Sequence, residues 1–120
     1  MSAEDGAQDT WDFTTQRNET ALTVHHLNTQ KGMVLGTPIT LQIDLVPDPG
    51  ADAPDQPALL RALGMFGYRA DVPPEADTTV QVSLPDLAFE VEAIWTQEER
   101  VTKIALSRGF VPDGWGFWEP

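Results

Sequence analysis

The sequence predicts an α+β fold, a β-sheet with helices packed on it, and three observations carry that prediction. Ile39, Leu41, Ile43 and Leu45 alternate with Thr40, Gln42 and Asp44, the period-two pattern of a strand with one buried face. Leu59, Leu60, Leu63 and Phe66 recur at helical spacing and form one apolar stripe. Val91, Ile94, Val101, Ile104 and Ala105 form a second stripe near the end of the chain, and Gly109 and a last β-rich run follow it.

Taken in order, residues 1–18 are acidic and polar, with Trp11 and Phe13 as the only large apolar groups, and are expected to be a mostly disordered arm, with docking of Trp11 and Phe13 on the domain as a short edge strand left open. Residues 19–120 are expected to form a single domain. Ala21-Leu22-Thr23-Val24-His25-His26-Leu27 is rich in β-formers and alternates moderately, which predicts an extra N-terminal strand over 21–28. Lys31-Gly32 and Gly36 mark a turn, and the alternating strand follows from residue 37 to 46. Residues 47–56 contain Pro47, Pro49, Gly50 and Pro54 among aspartates, a composition that neither strand nor helix tolerates. Asp55 is placed to cap a helix that has Pro57 in its first turn and ends at Gly64 or Gly67. A short strand over 67–72, a turn at Pro73-Pro74, and a strand over 78–84 come next.

The stretch from residue 90 to 108 admits two readings. Its stripe and the favourably ordered pair Glu99 and Lys103 suit a helix, with acids early and bases late to complement the dipole. Gly109 then suits a helix C′ position. Phe89, Val91, Ala93 and Trp95 also alternate, as do Val101, Lys103 and Ala105, which leaves a β-hairpin open; its turn has no glycine, asparagine or aspartate, and the pattern leans to helix. With helix taken, the order from residue 37 is β-α-β-β-α-β, the ferredoxin-like order, carrying the extra N-terminal strand.

Composition narrows the function classes. The chain has 120 residues and no run of eighteen apolar residues, so no membrane span is expected. Its N-terminus has neither the basic nor the apolar region of a secretory signal, and it has no cysteine, which suits a cytoplasmic address. Nineteen acids against seven bases give a net charge of −12, which opposes direct nucleic-acid binding and suits either solubility alone or steering toward a basic protein partner.

Two segments and a terminal motif give the chain a family resemblance. LLRALGMFGYRADV, Leu59 to Val72, and VEAIWTQEERVTKIALSRGF, Val91 to Phe110, resemble the two helices of the regulator of ribonuclease activity B (RraB) family, the ribonuclease E inhibitors. Asp113-Gly114-Trp115-Gly116 matches that family's closing Asp-Gly-Trp signature, although Pro112 stands where its members usually have an aromatic residue. The resemblance covers roughly residues 37–118 and implies a ferredoxin-like fold and a helix over 90–108. It also implies a non-catalytic protein that binds a basic segment of ribonuclease E and lowers its activity, with no cofactor. The same acidity fits an alternative, an immunity or inhibitor protein that neutralises a basic toxin or nuclease.

The residues expected to meet a protein partner are Trp95, Glu98, Glu99, Asp113, Trp115 and Trp118, because tryptophan dominates binding hot spots and acids complement a basic partner. Trp115, with Gly114 and Gly116 beside it, also suits core packing, and Trp95, off the helix stripe, equally suits a contact on a second face of the helix. Chemistry finds less support. His25 and His26 would point to opposite faces of a strand and could not share a metal. Ser83 and Ser107 have no nucleophile context. Gly64-Met65-Phe66-Gly67 is a helix end and not a phosphate loop.

Overall fold

The structure is a computed structural model that describes residues 11–118, excluding the Trp118 side chain. Its elements are α1 (Phe13–Gln30), β1 (Pro38–Pro47), α2 (Gln56–Met65), β2 (Arg69–Asp71), β3 (Val80–Ala88), α3 (Val91–Leu106) and β4 (Phe110–Trp118). The four strands form one antiparallel sheet in the order β2-β3-β1-β4.

The alternation in β1 sets the layers. Ile39, Leu41, Ile43 and Leu45 are buried, while Thr40, Gln42 and Asp44 on the other face stay half-exposed. Cross-strand partners share a face. Leu41, Ile43 and Leu45 meet Leu84, Val82 and Val80 on β3, and Leu41 and Ile43 meet Phe117 and Trp115 on β4. Leu59 and Leu63 of α2, and Ile94, Val101 and Ala105 of α3, close the same core. The helices therefore cover one face of the sheet, and the other presents polar side chains.

α2 begins as its sequence dictates. The Asp55 carboxylate accepts from the Ala58 N–H at 3.0 Å, and a proline occupies the first turn. α3 settles the two readings of residues 90–108 in favour of helix, with its apolar stripe on the sheet. Gly109 has φ +81°, and a Cβ there would stand 2.9 Å from the Pro54 backbone. The Pro/Asp-rich loop is clamped at this point, since Asp48 N–H donates to the Gly109 carbonyl and Asp55 N–H to that of Arg108. β3 runs further than expected, through Pro85 and Asp86, where a register shift against β1 and φ +59° at Asp86 absorb the proline. β4 carries a similar irregularity opposite Asp44, with Gly114 at φ +107°.

The N-terminal region overturns two expectations. The extra strand over 21–28 is absent: those residues lie inside the helix α1. Of the expected disordered arm over 1–18, residues 1–10 lie outside the described residues, and 13–18 are the first turns of α1. The physical reason is tertiary. Asp12 caps the helix by accepting from the Thr15 N–H at 2.9 Å. Thr23 and Thr29 turn their hydroxyls back onto the carbonyls of Glu19 and His25, which a helix allows. Val24 enters the core while Leu22 is left 68% exposed, so the apparent alternation was never a buried face. Packing on α3 overrides the local β-propensity.

Candidate functional site

α3 has two buried stripes. The first faces the sheet. The second consists of Trp95, Glu98 and Thr102, spaced by three and four residues, and faces α1. α1 meets it with one aromatic residue, Phe13, and two polar ones, Gln16 and Thr20. The Phe13 ring stands edge-on to Trp95, with centroids 6.4 Å apart. Gln16 Nε2 donates to Thr102 Oγ1 at 3.0 Å, and the Thr20 hydroxyl donates to the Glu98 carboxylate. Arg17 pairs with Glu92 at the exposed margin.

Where α1 and α3 approach the edge strand β4, a cleft of about 810 Å³ opens. Trp11, Asp12, Gln16 and Glu19 of the α1 side, Glu98 of α3 and Trp115 of β4 line it, and no lysine or arginine does. Trp11 is held by its Nε1–H, which donates to Gln16 Oε1 at 2.9 Å. Trp115 is half-buried, its ring 6.4 Å from Phe117, which in turn packs on the buried Phe89. Two indoles and three carboxyl groups, those of Asp12, Glu19 and Glu98, thus share one cleft.

Glu98 is the unusual group. It is 4% exposed, and burial pushes its carboxyl up to about 7. Hydrogen bonds from Thr20 and Gln16 pull it back, and the nearby Glu19 charge adds to the rise. A cation brought into the cleft would favour the ionised form of this carboxyl. Asp12 behaves oppositely, its carboxyl held below the usual range by the hydroxyl and N–H of Thr15.

The residues expected to meet a partner are divided by the structure. Glu98 and Trp115 come together in the cleft. Asp113 is exposed on β4 beside it, between the lining residues Pro112 and Gly114. Trp95 faces α1 and is nearly buried, and Glu99 lies outside the cleft, 3.6 Å from Lys103. Trp118 pairs through its backbone with Thr40, and its side chain lies outside the described residues. His25 and His26 sit exposed on α1. Sequence reasoning missed Trp11, Asp12, Gln16 and Glu19, which it assigned to the arm or left outside any site. The available signal was the Asp12–Thr15 capping spacing followed by Phe13, Gln16, Thr20, Val24 and Leu27 at helical intervals.

Comparison with protein-family models and with curated proteins finds no match for the chain. Its fold and its cleft define the class: an α+β domain with helices on one face of a four-stranded antiparallel sheet and an acidic, aromatic-walled cleft at the sheet edge. No helix among the described residues is long and apolar enough to cross a membrane.

Proposed function

We propose that this protein is a non-catalytic regulator that holds a basic segment of a protein partner in the cleft between α1, α3 and β4. The observation that carries the reading is the lining itself: Asp12, Glu19 and Glu98 with Trp11 and Trp115, and no base. A guanidinium or ammonium group entering there meets carboxylates and indole faces together, which is the chemistry that selects arginine and lysine. The net charge of −12 steers such a segment toward the molecule.

A ferredoxin-like arrangement is part of the proposal. The β-α-β-β-α-β order after α1 and the strand order β2-β3-β1-β4 support it, and with it the resemblance to the RraB family. On that resemblance the partner is ribonuclease E, met in the cytoplasm at its basic C-terminal region, and the consequence of binding is slower RNA cleavage.

Titration of the protein with that region of ribonuclease E, followed by tryptophan fluorescence at low and moderate salt, tests the reading. The expected result is binding that weakens as salt rises, together with slower cleavage of a test RNA. Absence of binding at low salt would sink the ribonuclease E assignment. Binding to a basic toxin or an unrelated nuclease instead would favour the immunity-type alternative.

A further inference from the structure

On the flank of α3 toward α2, the surface chemistry reverses. Met65 and Phe66, at the end of α2, are 86% and 70% exposed, the two most exposed large apolar side chains among the described residues. Phe66 lines a groove of about 350 Å³ together with Tyr68, Arg100, Lys103 and Ile104. Tyr68 is fixed by its hydroxyl, which donates to Gln97 Oε1 at 2.9 Å, so one wall is rigid. Arg61 lies one helical turn before Met65 on the exposed side of α2.

The charge pattern here runs against the rest of the chain. Nineteen acids are spread through the sequence, yet residues 56–70 contain none and carry Arg61 and Arg69. Two of the seven bases, Arg100 and Lys103, line the groove with the exposed Phe66, and a third, Arg61, is exposed on α2 one turn before Met65. Lys103 pairs with Glu99, whereas Arg61 and Arg100 make no ion pair among the described residues. Methionine, phenylalanine, tyrosine and arginine are also the residue types enriched at protein interfaces, where aspartate and glutamate are depleted. An isolated exposed apolar residue needs no explanation, but two adjacent ones at a groove whose only charged lining residues are basic, on a molecule of net charge −12, do.

We propose that the groove between α2 and α3 docks an acidic protein segment that inserts one aromatic or aliphatic side chain against Phe66 and Ile104. Carboxylates flanking that anchor meet Arg100 at the groove. The groove has room for about one large side chain, so the segment anchors through a single residue. This site stands apart from the cleft and does not depend on the partner proposed for it. A protein with both would join a basic segment on one flank of α3 to an acidic one on the other.

Panning phage-displayed random peptides on the full-length protein tests this directly. Enriched sequences are expected to carry aspartate or glutamate around a single aromatic or aliphatic residue. Binding of the enriched peptides is expected to fall about tenfold or more with Phe66→Asp and with Arg100→Glu, and to survive Trp115→Ala. Both substituted groove residues are exposed, and unchanged thermal unfolding would certify that the variants fold. Enrichment of neutral or basic peptides, no enrichment, or binding indifferent to both groove variants would overturn the proposal. So would a wild-type dimer in sedimentation that Phe66→Asp dissociates, since the occupant would then be a second copy of the chain.

Discussion

The two flanks of α3 are built from opposite materials. Toward α1 the helix buries Trp95, Glu98 and Thr102 against Phe13, Gln16 and Thr20, and a cleft with acid and indole walls opens beyond them. Toward α2 it buries little beyond the shared core, and an apolar groove with a basic rim stays open to solvent. The first flank holds itself together through polar contacts, each of which requires a specific partner. The second offers apolar atoms to water and has nothing described upon it. One α-helix can serve both because its three-residue and four-residue spacings place the stripes side by side, with the sheet-facing stripe between them.

That middle stripe is where a single change breaks both flanks. Ile94 is fully buried between α3 and the sheet. Ile94→Ala is expected to cost about 3 kcal/mol of folding stability, the usual loss when a buried isoleucine leaves a cavity. Urea denaturation would show it as a lower midpoint with an unchanged slope, and ligand binding at cleft and groove would weaken together. A variant that lost one and kept the other would mean that α3 does not organise both.

Glu98 separates the flanks by pH. Its carboxyl ordinarily ionises near 4.5 and is raised to about 7 in the folded protein. The folded state therefore holds this proton more tightly than the unfolded chain. Its contribution to stability is complete below pH 4.5, declines as pH rises, and is gone above about 7. The shift corresponds to at most about 3 kcal/mol across that window. Stability measured from pH 4 to 8 should fall for the wild type relative to Glu98→Gln, which cannot titrate. Identical pH profiles would show that Glu98 is not buried as an acid. Groove binding should not respond to the substitution, while cleft binding of a basic segment should weaken because the charge is lost.

The sheet and the two helices upon it were legible in the sequence because their apolar residues keep strict periods: Ile39, Leu41, Ile43 and Leu45 in β1, Leu59 and Leu63 in α2, Ile94, Val101 and Ala105 in α3. α1 was not legible, because its inward face includes Gln16 and Thr20, which a hydrophobic-period reading counts as solvent-facing. The second stripe of α3 was hidden for the same reason, since two of its three members are polar. Glu98 and Trp115 were singled out as partner-facing residues, but their meeting depends on Ile43 pairing with Trp115 across a register shift in β4. Trp11, Asp12 and Glu19 became visible only once the region expected to be an arm and a strand proved to be a capped helix. The groove was overlooked because Leu59, Leu60, Leu63 and Phe66 look like one core stripe, yet Phe66 follows the last helical residue and turns outward.

The polar character of the α1 interface predicts a looser attachment than that of α2. Phe13→Ala removes the edge contact with Trp95 and the ring under the Lys103 ammonium. The expected loss is about 1–2 kcal/mol, below that for a fully buried ring because Phe13 is half-exposed. Hydrogen exchange should find α1 amides opening before those of α3 in the wild type, and more readily still in the variant. Equal protection of α1 and α3 would mean that the helix is an integral part of the core.

The smallest effect is expected at the groove. Met65 is 86% exposed, so Met65→Ser removes almost no buried surface and should change folding stability by less than about 0.5 kcal/mol. The cleft should be untouched, because it lies across α3 and shares no lining residue with the groove. The variant is informative for that reason. A side chain that contributes nothing to folding yet stays large and apolar in water is retained for contact with something else or for nothing. Peptide binding at the groove, measured beside an unchanged unfolding curve, distinguishes the two: weakened binding assigns Met65 to the interface, and unchanged binding confines the anchor site to Phe66 and the groove floor.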